Sequence, residues 1–366
     1  MGDYGGTFPD PIEEGDVVIE IDGSVYSGSG TLLRYAVALA TLLGEPLHMN
    51  HIRAKREKPG LRPQHLHAVK ACCSLSGGEV EGAAVGSREI FYRPGKSLQD
   101  GDFRWDIGTA GSTTMLAFTL IPLALFARRP CRFSILGGLF QDFAPSAFHM
   151  REVLIPLLRR VGVEGRLDIL RPGYVPQGQG HLMLEVKPLD GFLKPFFMNE
   201  QGNLKEVWGI SLASHLEKEK VSERMASHCK ELLEKRGYPV RIEVLSDKTA
   251  IQKGAALFLR ADTDTGCLLG SDQAGKPGRR SEAIAEFVVA SLLEDLQTQA
   301  TTDRHLADQL ILFAALARGT SEYVIPGTTD HIRANLWLVE KILGAKSELQ
   351  GNHLRLEGIG FQKSRD

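Results

Sequence analysis

The amino-acid sequence predicts a mixed α/β fold of the α+β kind: three repeated βαβαββ units, with their helices packed centrally against small sheets, plus a small inserted α/β domain. Three observations predict it. Strand-like and helix-like segments recur in one order three times along the chain. In the first two copies the leading strand passes into its helix through a Gly/Ser loop, "SGSG" or "TAGST". A charged stretch at about 190–265 then interrupts the pattern. Self-similar order of this kind is the mark of a repeated supersecondary unit.

In the first unit, about 17–95, "VVIEIDG" reads as a strand, "TLLRYAVALATLLG" as a helix and "PLHMNHI" as a strand. "RPQHLHAVKACCSLSG" is a second helix, followed by strand-like "EVEGAAVG" and "EIFYRP". The second unit, about 101–189, runs through "FRWDIG", a helix from Met115, "CRFSILGG", the helix "AFHMREVLIPLLRRVG" and strands near 165–171 and 181–187. The third, about 266–361, contains the helix "LADQLILFAALARG", the strand "EYVIPG", the helix "DHIRANLWLVEKIL" and strands "SELQGN" and "HLRLEGIG". "SEAIAEFVVASLLEDLQT" is read as an added helix of this unit. The interrupting stretch has the order β-α-β-β, its helix showing a solvated face and a narrow apolar stripe. Residues 1–16, acidic and rich in Gly and Pro, read as a loose lead-in without the features of a signal peptide.

Helices packed on one face of each sheet bury an apolar stripe against it. Loops that precede helix starts then gather at one end, where unpaired amide N–H groups favour anions. The second helix of every unit opens on a histidine: His65, His149 and His331. His331 follows Thr328, Thr329 and Asp330, residue types that cap helix starts, and Ile332, Leu336, Val339 and Leu343 carry on the 3.6-residue apolar stripe. On this pattern His331 is either a cap residue or a reactive group.

Among 366 residues, 43 % are hydrophobic and 24 % charged, with a net charge of −2, which excludes a disordered or strongly basic chain. Any grip on nucleic acid must come from a local patch. One exists: "HIRAKREKPGLRPQH" places Arg53, Lys55, Arg56, Lys58 and Arg62 within ten residues, opposed only by Glu57. Such a run is a solvated loop or a phosphate site; two prolines, a glycine and the adjoining Gln64 and His65 favour the site, and the arginine fork suits phosphate oxygens. The two Gly/Ser loops match neither the Walker nor the dinucleotide fingerprint, and taken singly read as tight turns. Asp308 suits a helix cap; with the adjacent Gln309 it could instead face a nucleotide. The five cysteines show no C-x-x-C spacing, arguing for a reducing compartment, cytoplasmic or nuclear. The apolar run 115–127 contains Pro122 and is too short for a membrane span.

The segments "IDGSVYSGSGTLLR", "IRAKREKPGLRPQHL", "GTAGST", "RPGYVPQGQG", "HLADQLILFAALA" and "DHIRANL" together resemble the RNA 3'-terminal phosphate cyclase family over nearly the whole chain. The resemblance implies a large domain at about 17–189 and 266–361, with the smaller domain inserted. It also implies ATP as co-substrate, a divalent cation such as Mg2+, and RNA bearing a 3'-phosphate as partner. In such a reaction a histidine takes AMP from ATP and passes it to the RNA phosphate, and the 2'-hydroxyl then closes a 2',3'-cyclic phosphate. By position the nucleophile is His331. The nucleotide-binding positions are His305, Leu306, Ala307, Asp308, Gln309 and Phe118, and those for the RNA phosphate end are Arg34, Arg53, Arg56, Gln64 and His65. This chain departs from the family pattern at several of them. The acidic position of the first loop is Ser27, its glutamine is Thr31, a nucleotide-contacting glutamine is Phe118, the tyrosine before L-A-D-Q is His305, and a triple glycine is broken by Gln179. Family members lacking the nucleophile act as ribosome-assembly factors, so the alternative is a non-catalytic RNA-binding factor. A transferase of the enolpyruvyl type shares the unit by fold analogy alone.

Overall fold

The computed structural model describes residues 17–142 and 144–363; the predicted lead-in at 1–16 lies outside them. In the first unit, strand β1 (Ile19–Asp22) leads to helix α1 (Gly30–Leu43), β2 (Leu47–Asn50), α2 (Pro63–Ser76), β3 (Glu79–Glu81) and β4 (Ile90–Arg93). The second holds β5 (Gly101–Asp106), α3 (Thr113–Leu125) and β6 (Cys131–Gly137). A continuous helical stretch follows, α4 (Ala147–His149), a π-helical turn (Met150–Leu154) and α5 (Ile155–Arg160), before β7 (Gly165–Arg171) and β8 (Gly180–Val186). The two sheets have the same strand order, β1-β2-β4-β3 and β5-β6-β8-β7. In both, the first pair is parallel and the others antiparallel.

The third unit completes the repetition in a way the sequence hides. Its leading strand is β9 (Phe197–Met198), two residues inside the stretch expected to belong to the insertion. The next strands in the chain, β10 (Leu204–Ser214), β11 (Val240–Asp247), β12 (Gly254–Thr263) and β13 (Leu268–Ala274), form a separate sheet ordered β11-β10-β12-β13. Helices α6 (Val221–Glu234) and α7 (Ser281–Gln297) cover it. The chain then re-enters the third unit at α8 (Leu306–Leu316), β14 (Arg318–Val324), α9 (Asp330–Leu343), β15 (Lys346–Gln350) and β16 (His353–Ile359). Strand β9 pairs parallel with β14, so this sheet, β15-β16-β14-β9, has the order of the other two.

Two expectations are corrected here. A two-residue strand carries no alternation to read, so the sequence does not reveal β9, and the third unit begins there and not at about 266. Strand β13 and helix α7 lie past residue 265, yet β13 completes the inserted sheet and α7 covers it. Ile284, Ala285, Val288, Val289 and Leu292 of α7 share an apolar cluster with Met225, Ala226 and Cys229 of α6. An amphipathic helix shows that it buries a stripe, not which sheet receives it.

Helices α1 and α8 lie at the centre, with nearly every residue buried. The inserted sheet joins this core through one face. Along β12 the residues alternate: Ala255, Leu257 and Leu259 turn toward α6 and α7, whereas Ala256 and Phe258 belong to the main cluster. Tyr174 Oη and Ser214 Oγ, 2.7 Å apart, bind the second unit to the insertion.

Candidate active site

The site begins with two helix starts. Thr329 caps α9, its hydroxyl accepting from the Ile332 N–H at 3.2 Å, so His331 is the second residue of that helix and not its cap. Ser29 caps α1, its Oγ accepting from the Thr31 N–H at 3.3 Å and from Ser27 Oγ at 3.0 Å. These starts meet: His331 Nδ1 is 3.5 Å from Ser29 Oγ and 3.5 Å from Thr31 Oγ1. Nδ1 is thus the ring nitrogen turned to the two hydroxyls, and Nε2 is the one turned from them.

Arg34, one turn into α1, is 7 % exposed and donates from Nη2 to Thr31 Oγ1 at 3.2 Å. Its Nε has no partner. Burial pushes the guanidinium down to about 10, still charged at neutral pH. Burial, and then the charges of Arg56 and Arg34, lower the His331 pKa, with Asp330 pulling the other way. The imidazole is accordingly neutral near pH 7, as a nucleophile must be. The helix start supplies further amide dipoles in the same sense.

His65 is brought to the same place. It is 3 % exposed, and its pKa is held well below the ordinary imidazole value by burial and by Arg34, Arg53, Arg62 and Arg56. Nδ1 accepts from the Arg62 N–H at 3.3 Å, and Nε2 lies against Gly30, where an added Cβ would come within 2.0 Å of it. The third histidine of the repeat is elsewhere. His149 is fully buried, with Nε2 bonded to Asp303 Oδ2 at 2.9 Å.

The remaining residues expected at the RNA end divide. Arg53, at φ 54°, folds back to donate to the carbonyls of Lys58 and Gly60 at 2.7 and 2.8 Å, bracing the basic loop. Arg56 is exposed, free to meet an anion. Gln64 Oε1 accepts from the Ser112 N–H at 3.0 Å, tying α2 to the second Gly/Ser loop.

Along the segment expected at the nucleotide, Leu306 and Ala307 are core residues, while His305, Asp308 and Gln309 offer polar groups. Gln309 is 7 % exposed, and its Oε1 has no partner. Burial raises the Asp308 pKa to about 7, with Arg34 opposing and Asp303 adding to it. Phe118 is 4 % exposed, stacked on Tyr35 with ring centroids 5.7 Å apart and edge-on to Phe313 at the same distance. The sequence did not point to Tyr35 and Asn335, both of which donate to the Asp308 carbonyl at 3.2 Å. Asn335 lies four residues after His331, a spacing that shares a helix face and was the available signal. It too keeps an orphaned Oδ1. Orphaned buried atoms on Arg34, Gln309 and Asn335 are what a polar ligand would satisfy.

For a cation the side chains offer less. Among the described residues, no group of three or more His, Cys, Asp or Glu side chains is arranged to hold a metal. Ser27 spends its hydroxyl on Ser29.

A family model described as RNA 3'-terminal phosphate cyclase matches residues 25–349. The chain is 36 % identical over 349 residues to the RNA 3'-terminal phosphate cyclase of Pyrobaculum neutrophilum, covering 94 % of this chain and all of that one. It is 38 % identical over 335 residues to that of Pyrococcus furiosus, covering 91 % and 96 %, and 37 % over 342 residues to that of Archaeoglobus fulgidus, covering 92 % and 99 %.

Proposed function

Since this chain belongs to the RNA 3'-terminal phosphate cyclase family, we propose that it is an ATP-dependent enzyme converting an RNA 3'-phosphate to a 2',3'-cyclic phosphate, with His331 as its nucleophile. The observation that carries this reading is the setting of His331: neutral, at a helix start, Nδ1 against two hydroxyls, beside a buried arginine.

The Nε2 lone pair attacks the α-phosphorus of ATP; an N–P bond forms, the α–β bridging P–O bond breaks, and pyrophosphate departs. Arg34, Arg56 and the first amides of α9 offset the charge that builds on the phosphoryl oxygens. A 3'-phosphate oxygen of the RNA then displaces the imidazole from phosphorus, returning the lone pair to Nε2. The 2'-hydroxyl attacks the activated phosphate, losing its proton, and AMP leaves as the ring closes. Arg56, with His65 as a neutral buried donor nearby, holds the phosphate end, while Arg53 and Gln64 keep their loops in place. His305, Asp308 and Gln309 line the nucleotide side, and Phe118 supports it through Tyr35.

Among the described residues no group of three or more His, Cys, Asp or Glu side chains is arranged to hold a divalent cation, and Mg2+ would instead accompany the triphosphate, whose charge it would help to neutralise. Five unpaired cysteines favour the cytoplasm or nucleus. Among the described residues no helix is long and apolar enough to cross a membrane.

The test is incubation with α-labelled ATP and Mg2+, with and without RNA ending in a 3'-phosphate. Label should stay on the protein, be lost in His331→Ala, and be released as AMP when RNA is added. Absence of label in the wild type with every nucleotide and metal tried would leave the non-catalytic RNA-binding factor.

A further inference from the structure

The loop that meets His331 also presents an aromatic ring to solvent. Tyr26 is 41 % exposed, two residues before Gly28, and its backbone is left-handed, φ 46°. A glycine would adopt that conformation at less cost, and non-glycine residues held there cluster at functional sites. The ring has an aromatic neighbour, and the backbone of Tyr26 is held separately. Trp337 of α9 meets it edge-on with centroids 6.3 Å apart, and Lys55 Nζ donates to the Tyr26 carbonyl at 2.8 Å. The Lys55 stem lies against Gly28, where a Cβ would meet it at 2.9 Å. Trp337 itself carries Lys341, whose Nζ is 5.3 Å from the ring centroid. Six residues separate Trp337 from His331, about 9 Å along the helix axis.

Building on the cyclase reading, we propose that Tyr26, backed by Trp337, is a stacking platform for a base at the 3' end of the RNA. Exposed aromatics interleaved with lysines are the general means of holding single-stranded nucleic acid without reading its sequence. The backbone of Tyr26 is tied through Lys55 to the basic loop bearing Arg53 and Arg56, which puts the residue on the RNA side; the nucleotide side is the start of α8. Lys55, at the Tyr26 carbonyl, and Lys341, over Trp337, are the cations beside the platform that would meet the phosphates flanking the stacked base. A base pinned there would set the last phosphate against His331 whatever its identity, so the platform selects for an unpaired end and not for a sequence.

The experiment reads binding of a fluorescent 3'-phosphorylated oligoribonucleotide to the full chain without ATP. A second oligonucleotide lacks the bases of its last two nucleotides. Tyr26→Ala should weaken binding of the natural RNA about tenfold, within the range that one base–aromatic stack supplies. Tyr26→Phe should bind within about twofold of the wild type. The abasic RNA should bind the wild type about tenfold more weakly and be indifferent to Tyr26→Ala. Because Tyr26 is exposed, unfolding midpoints check that both variants are folded. Equal affinity of Tyr26→Ala and wild type for natural RNA would overturn the proposal, as would an equal loss on abasic RNA. Loss of ATP affinity with RNA affinity intact would overturn it by assigning the ring to adenine. If the wild type never acquires AMP, the cyclase reading fails while this binding result still stands or falls by itself.

Discussion

At the residue scale the proposed chemistry depends on which form His331 takes. Its pKa is lowered by burial and by Arg56 and Arg34, so the neutral, reactive form persists below the usual imidazole value near 6.5. The rate of protein labelling by α-labelled ATP is therefore expected to be flat through neutral pH and to fall only on the acid side of that value. Arg56→Ala removes one of the lowering charges, so the acid limb should move to higher pH; a limb that stays in place would show that Arg56 does not act on His331. Replacing both Ser29 and Thr31 by alanine removes the hydroxyls at Nδ1 and should slow labelling about tenfold, the scale of one or two modest hydrogen bonds. A rate equal to wild type would show that the ring needs no such orientation. Much of this could be read beforehand from His331 beside three capping residues. The hydroxyls facing it could not, because Ser29 lies 302 positions away and a serine before a helix is explained by capping alone.

At the element scale the start of α8 is held by one carboxylate. Asp303 Oδ1 accepts from the N–H groups of His305 and Leu306, both at 2.8 Å, and Oδ2 from the Gly270 N–H at 2.8 Å and from His149. Burial by itself would raise the Asp303 pKa, but His149 and these donors bring it to about 2. Its contribution is thus present above the unfolded value near 4 and lost as pH falls through about 2. Burial lowers the His149 pKa and Asp303 more than reverses this, leaving it raised. The histidine therefore contributes fully below about 6.5, and its share is lost as pH rises through the raised value. Asp303→Ala should cost about 3–5 kcal/mol in urea unfolding at pH 6, the usual penalty for breaking a buried pair; an unchanged midpoint would remove the pair from the account. Gly30→Ala should push His65 off α1, since nothing else can yield in so tight a contact, lowering stability by about 1–3 kcal/mol and weakening RNA binding. The helices, their order and the Gly/Ser loops were legible because each carries a period or a cap. Strand β9 was not, and nor was the allegiance of α7, since both are decided by partners distant in the chain.

At the scale of the whole molecule the inserted sheet is shared property: one face belongs to α6 and α7, the other to the main core. In a variant with Trp105→Phe and Trp337→Phe, unfolding followed by the fluorescence of Trp208, within the insertion, should therefore coincide with loss of far-ultraviolet dichroism, and two separated transitions would contradict a common core. Net charge says little, since −2 conceals the basic loop. RNA affinity should still fall about tenfold or more between roughly 50 and 200 mM salt, and Arg56→Ala should flatten that slope; a salt-independent affinity would remove the loop from the interface. The break between β9 and α8 bears on how the protein comes into being. The third sheet cannot close until Phe197 and Met198 find Glu322 and Tyr323, across a very long loop, so formation of the intervening sheet shortens the search by drawing its own ends together. On a ribosome working from one end, the strands and helices around Ser29 would be made early and wait, and a chain stopped short of α9 would lack the histidine proposed as nucleophile. On that proposal, reactivity is withheld from unfinished chains.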